Sequence, residues 1–198
     1  MDLLLATHNP HKTREFATIL GDEFHVRDLS SARNIPEIKE TGHTFAENAI
    51  LKALAVARDR QVLVVADDSG LEVEALGGAP GIYSARYAGD NATDKDNVAK
   101  LLSELRRRNL PSHERSARFR CVLALARAGK LLGTFEGVAE GVIVDLARGT
   151  GGFGYDPIFV PEDFDKTFAE LPAETKNRIS HRAKAIASLR NHLARGSS

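Results

Sequence analysis

Residues 62–89 read VLVVADDSGLEVEALGGAPGIYSARYAG. The segment begins with five apolar residues, Val62 to Ala66, a length and β-branched content that suit a strand buried on both faces. Two carboxylates follow, Asp67 and Asp68, and then Ser69 and Gly70, so the strand is expected to stop at the acids and the chain to turn. A buried strand with functional groups at its C-terminal end is how an α/β sheet presents a metal or nucleophile site. If the strand stays regular through both aspartates, their side chains point to opposite faces. Asp68 is then the better site residue and Asp67 the structural one. Gly77, Gly78, Gly81, Tyr83, Arg86 and Tyr87 continue the segment, which reads as the floor of an active site.

Toward the N-terminus, Leu3 to Ala6 is a short apolar strand running into Thr7, His8, Asn9, Pro10, His11 and Lys12. A helix is expected from about His11, with Phe16, Ile19 and Leu20 on one face. Strand, polar loop and helix form an arrangement whose backbone N–H groups suit phosphate. His25 to Leu29 reads as a strand, and a loop leads to Gly42. Thr44 and Glu47 have the spacing of a capping box. The helix they open is expected to bury Ala46, Ala49, Ile50, Ala53 and Ala57, with Asn48 and Lys52 sharing a neighbouring face.

Toward the C-terminus, Asp94 to Arg107 patterns as a helix, and Arg106 to Arg108 as its solvated end. Ser116 to Ala128 and Lys130 to Asp145 alternate as two long strands. Residues 149–157, GTGGFGYDP, form the most glycine-dense stretch. A last helix is expected from Ser180, its N-cap, to Leu193. No repeat or linker interrupts residues 1–198, which read as one domain, two-lobed.

Composition narrows the function classes. Basic and acidic residues number 27 each, for a net charge of zero, which argues against a broad nucleic-acid surface. A single cysteine, Cys121, excludes a disulfide framework. Nothing approaches membrane-spanning length, so a cytoplasmic protein is expected.

The candidates for chemistry are few. Glu40, Asp67 and Asp68 are acids near element ends, and a hard cation such as Mg²⁺ is held by one or two carboxylates with phosphates and water. Lys12, Lys52, Lys176 and Arg182 are expected in loops or at helix ends. His181 and Arg182 fall in a first helical turn, where positive charge opposes the macrodipole; a bound anion reconciles the two, and so does plain exposure to solvent. Phe153 and Tyr155 are rings that stack on a base or pack in the core.

Six motifs occur in order: ATHNPHK (6–12), ETG (40–42) with TFAENA (44–49), ADDSGL (66–71), GGAPGIYSAR (77–86), GGFGYDP (151–157) and SHR (180–182). Together they resemble the inosine triphosphate pyrophosphatase family, the XTP/dITP diphosphatases; His8 stands where many members carry a smaller residue. The resemblance implies an α/β fold with a long mixed central sheet flanked by helices, two lobes with a cleft between them, and a homodimer. It implies Mg²⁺-dependent hydrolysis of ITP, dITP and XTP to the monophosphate and pyrophosphate. Thr7 to Lys12 would hold the triphosphate, and Glu40 and Asp68 the Mg²⁺. Asp68 would also accept the proton of the attacking water. Lys52, Ser69 and Lys176 would touch substrate, and Phe153, Gly154, Tyr155, Asp156, His181 and Arg182 would surround the base. An oxygen at purine position 6 accepts from a donor such as Arg182, whereas adenine's amino group leaves that donor unpaired. Two other classes compete: a phosphatase with Asp67 or Asp68 as nucleophile, releasing orthophosphate, and a nucleotide-binding module without turnover.

Overall fold

The computed structural model describes residues 1–31, 38–111 and 114–195. The loop expected before Gly42 lies partly outside them, at residues 32–37. Six strands form one sheet in the order β2-β1-β3-β4-β5-β6: β1 Asp2–Leu5, β2 His25–Asp28, β3 Leu63–Val73, β4 Ser116–Arg127, β5 Lys130–Ile143 and β6 Phe159–Pro161. The helices are α1 Pro10–Leu20, α2 Phe45–Ala57, α3 Asp94–Arg107, α4 Ala173–Ile179 and α5 His181–Arg195. β1 is parallel to β2 and β3, while β5 and β6 are antiparallel, so the sheet is mixed. The α/β expectation holds. Among the described residues no helix is long and apolar enough to cross a membrane.

The chain divides into two compact units, residues 1–68, 121–137 and 182–198, and residues 69–120 and 138–181. In the first, β1-α1-β2 is a parallel crossover in which β1 is buried at Leu3, Leu4 and Leu5 while the edge strand β2 stays exposed or half-buried. Leu3, Leu5, Phe16, Leu20, Val65, Leu123, Leu125, Ile186 and Leu189 supply its core. Ala128 and Gly129, both at positive φ (50° and 71°), make the tight turn between β4 and β5. In the second unit Leu71, Val73, Leu101, Leu105, Phe119, Phe159 and Phe168 form the core.

Three local expectations are corrected. β3 does not stop at the aspartates but continues through Ser69 and Gly70 to Val73. Ser-Gly is a turn signal by itself, but Leu71 and Val73 are fully buried beyond it, and the Leu71 N–H donates to Ser84 Oγ at 2.9 Å. Packing thus overrides the local preference. α2 is rotated from its expected stripe: Phe45, Asn48, Ala49, Ala53, Val56 and Ala57 are buried, and Ala46 and Ile50 only half-buried. α4 was not expected, and it puts Lys176 within a short helix rather than in a loop. Ser180 is extended and α5 starts directly after it, as its reading as an N-cap expects.

Of the two readings left open for Tyr155, the structure shows core packing. The residue is buried in the second core despite its glycine neighbours, and its hydroxyl donates to the Ser84 carbonyl at 2.9 Å. Its ring is core, not a surface for stacking. Tyr155→Phe removes that hydrogen bond and lowers stability by about 0.5–1.5 kcal/mol, which a denaturant titration checks; an unchanged midpoint would remove the hydroxyl from the account.

Candidate active site

In the first unit, α1 begins where Asn9 caps it. The Asn9 Oδ1 accepts from the N–H groups of His11 (2.9 Å) and Lys12 (3.4 Å), and Pro10 occupies the first turn, where no backbone donor is needed. Thr7 Oγ1 accepts from the Asn9 N–H at 3.1 Å. No acid occupies the first turn. His8, Pro10 and His11 are exposed, and Thr7, Asn9 and Lys12 are half-buried. The side-chain caps thus satisfy the first-turn donors, and with no acid there the positive end of the helix dipole is left uncompensated.

β3 stays regular through its two aspartates, and the alternation separates them. Asp67, fully enclosed, accepts from the Lys12 ammonium through Oδ1 and from Arg182 Nε through Oδ2 at 2.7 Å. Arg182 in turn pairs with Glu15 through Nη1. The anion that the start of α5 demands is therefore the protein's own, and Arg182 is 2% exposed rather than solvated. Burial pushes the Asp67 carboxyl up, but the Arg182 guanidinium and the Lys12 ammonium outweigh it and hold it well below the usual carboxylate range. Cys121 Sγ lies 3.5 Å from Asp67 Oδ2, a packing neighbour.

Asp68 faces a different set. The Lys52 ammonium donates to Asp68 Oδ1 at 2.9 Å, to Glu40 Oε1 at 2.6 Å and to the Asp67 carbonyl at 2.9 Å. One cation thus draws the two acids together. Asp68 Oδ2 is buried and has no hydrogen-bond partner among the described residues. Burial raises the Asp68 pKa; Lys52 offsets part of this and Glu40 adds to it. Burial alone would lower the Lys52 pKa, yet the charges of Asp68 and Glu40 raise it.

Glu40 reaches Lys52 because its segment is tied to α2. Asn48, one turn before Lys52, accepts the Gly42 N–H through Oδ1 at 2.8 Å. A Cβ at Gly42 would stand 2.7 Å from that Oδ1 and from Glu47 Cβ, so the close approach requires glycine. Thr44 caps the helix through Glu47 N–H, but the Glu47 carboxylate turns to the His43 N–H, one residue outside the expected box.

In the second unit, Asp156 Oδ2 accepts from Lys176 Nζ at 2.6 Å and from the Phe153 N–H at 2.8 Å. Gly152, at φ 70°, passes so close that a Cβ would fall 1.9 Å from the same oxygen. The Lys176 ammonium sits 5.1 Å from the Phe153 ring centre. The Gly154 N–H donates to Asp94 at 2.7 Å. His181 is buried and stacks on Phe119 with ring centres 4.7 Å apart. Ser69 is half-buried in β3.

Two side chains with roles here carried no sequence signal of their own. Glu15 sits three residues after Lys12, and that spacing puts both on one helix face. Asn48 was read as a neighbour of Lys52, but its complete burial follows only from the rotation of α2.

Comparison with known proteins bears on the same residues. The family model described as the Ham1 family matches residues 3–192. The dITP/XTP pyrophosphatase of Bacillus subtilis (strain 168) is 51% identical over 189 residues, covering 95% of this chain and 94% of that protein. The dITP/XTP pyrophosphatase of Geobacter sulfurreducens is 51% identical over 192 residues, with 96% of each chain covered. The structure of the Staphylococcus aureus Ham1 protein is similar over 100% of both chains, with a TM-score of 0.86 and 43% identity. Matched along nearly its whole length in sequence and in fold, this chain belongs to the Ham1 family.

Proposed function

We propose that this chain is a hydrolase that cleaves the α–β linkage of the non-standard purine nucleoside triphosphates ITP, dITP and XTP, releasing the monophosphate and pyrophosphate with Mg²⁺ as cofactor. The observation that carries the reading is the convergence of Glu40 and Asp68 on one ammonium beside a buried, unpartnered Asp68 oxygen. Two carboxylates fit Mg²⁺, which takes its other ligands from water and phosphates. Among the described residues no group of three or more His, Cys, Asp or Glu forms a complete protein cage.

Each residue then has a task. When bound, Mg²⁺ supplies neutralisation of charge on the phosphate oxygens. The start of α1, with Thr7, Asn9 and Lys12, faces the triphosphate with the positive end of the helix dipole and the Lys12 ammonium. Lys52 donates to phosphate. Asp68 orients the attacking water and accepts its proton, and a pKa raised by burial moves it toward the working pH. Phe153, with Lys176 beside its ring, offers a face on which a base stacks. The nucleophile reading loses ground for Asp67, whose two oxygens already accept from Lys12 and Arg182. A homodimer in the cytoplasm belongs to the same proposal, and light scattering checks the dimer.

Pyrophosphate and orthophosphate release are measured on ITP, dITP, XTP, ATP and GTP, with and without Mg²⁺. Pyrophosphate from the first three, only with metal, is the expected result; orthophosphate, or binding without turnover, would sink the reading. Asn48→Ala frees the Glu40 segment, so the Mg²⁺ concentration for half-maximal rate rises about tenfold while the rate at saturating metal changes little. An unchanged metal requirement would reduce Asn48 to a core filler.

A further inference from the structure

Lys52 does more in this arrangement than wait for a phosphate. An ammonium has three donors, and all three are taken: Glu40 Oε1 at 2.6 Å, Asp68 Oδ1 at 2.9 Å and the Asp67 carbonyl at 2.9 Å. Two of those acceptors are the carboxylates assigned to the metal. The lysine stem rises from α2, which is anchored by the buried Ala49, Ala53 and Val56, and the side chain is only 11% exposed. Its charge is therefore screened little by solvent.

We infer that Lys52 is the resident cation of the nucleotide-free protein, holding Mg²⁺ off Glu40 and Asp68 until a triphosphate arrives. The inference rests on the proposed assignment of Glu40 and Asp68 as metal ligands. Glu40, Asp68 and Lys52 together carry one net negative charge. Adding a dication without moving the lysine reverses that sign and sets two cations against the same carboxylates, which repel at that range. A triphosphate changes both conditions. Its oxygens give the ammonium other acceptors, and its charge makes a lysine and a dication compatible in one place. The unpartnered Asp68 Oδ2 is the ligand atom Lys52 leaves ready. Metal binding becomes conditional on nucleotide, and the reaction is not started by metal alone.

Mn²⁺ titration of the nucleotide-free protein, followed by the paramagnetic resonance of the free aquo ion, tests this. Three proteins are compared: wild type, Lys52→Met and Lys52→Arg. Wild type and the arginine variant bind weakly, with half-saturation above roughly 0.1 mM, and the methionine variant binds at least about tenfold tighter. A methionine variant with no gain in Mn²⁺ affinity would overturn the inference. So would wild type that binds Mn²⁺ at about micromolar levels without nucleotide, an outcome independent of whether either variant folds. The pyrophosphate-release assay is a separate readout. Absence of hydrolysis removes the proposed function and leaves the Mn²⁺ comparison to decide the role of Lys52.

Discussion

Asp68→Asn lowers dITP turnover by at least about a thousandfold while the protein keeps its fold. The variant loses two things at once, a charged ligand for the metal and the proton acceptor for water. The side chain keeps its shape, and Asn still accepts from Lys52 through its carbonyl oxygen. Stability is not expected to suffer, and linkage gives the reason. Burial holds the folded Asp68 pKa above the ordinary aspartate value, so ionisation opposes folding, and removing the charge costs the fold nothing at neutral pH. In the wild type, kcat/KM falls as pH drops through that raised value, because the protonated acid no longer accepts a proton. The check is steady-state turnover beside a circular-dichroism melt. Activity within tenfold of wild type would remove Asp68 from the chemistry.

The second large effect is on stability and comes from the neighbouring aspartate. Asp67→Asn strips the counter-charge from Arg182 and Lys12, and Arg182 is fully enclosed with no route to water. An uncompensated buried charge costs about 3–5 kcal/mol; Glu15 still pairs with Arg182, so the loss is about 2–3 kcal/mol, which at this chain length lowers the melting midpoint by roughly 4–12 °C. The pH dependence follows in sign. Despite burial, the folded Asp67 pKa is depressed well below the ordinary aspartate value by Arg182 and Lys12, so its stabilisation is complete above that ordinary value and disappears as pH falls through the depressed one. Wild type therefore loses more stability than the variant once pH drops below about 4. Melts across this range decide it. Parallel curves for the two proteins would mean that Asp67 carries no such load.

These aspartates show where local reading succeeds and where it stops. Adjacent residues of a regular strand face opposite ways, so sequence separates the two side chains without saying which task each takes. Nor does it give the identity of each partner. Arg182 lies 115 residues from Asp67 and 167 from Glu15, and no periodicity relates them. The positive start of α5 looked like an invitation to a bound anion because the protein's own anions come from distant parts of the chain.

The same boundary runs through the fold. α3 spans Asp94–Arg107 as expected, because its limits are local: Thr93 and Asp96 close a capping box, and the arginines complement its C-terminal end. The start of α1 and the turn at Ala128 and Gly129 are equally self-contained. The length of β3, the rotation of α2 and the burial of Tyr155 depend on what packs against them. Ser69 and Gly70 remain strand because Leu71 and Val73 have a core to enter. Sequence by itself determined the presence of strands β1 to β5 and helices α1, α2, α3 and α5, the order of the motifs and the opposite faces of the acid pair, since caps, periods and alternation act within a few residues. Tertiary structure alone decided that Lys52 joins Glu40 to Asp68 and that Arg182 neutralises Asp67, because charge pairing depends on distance in space.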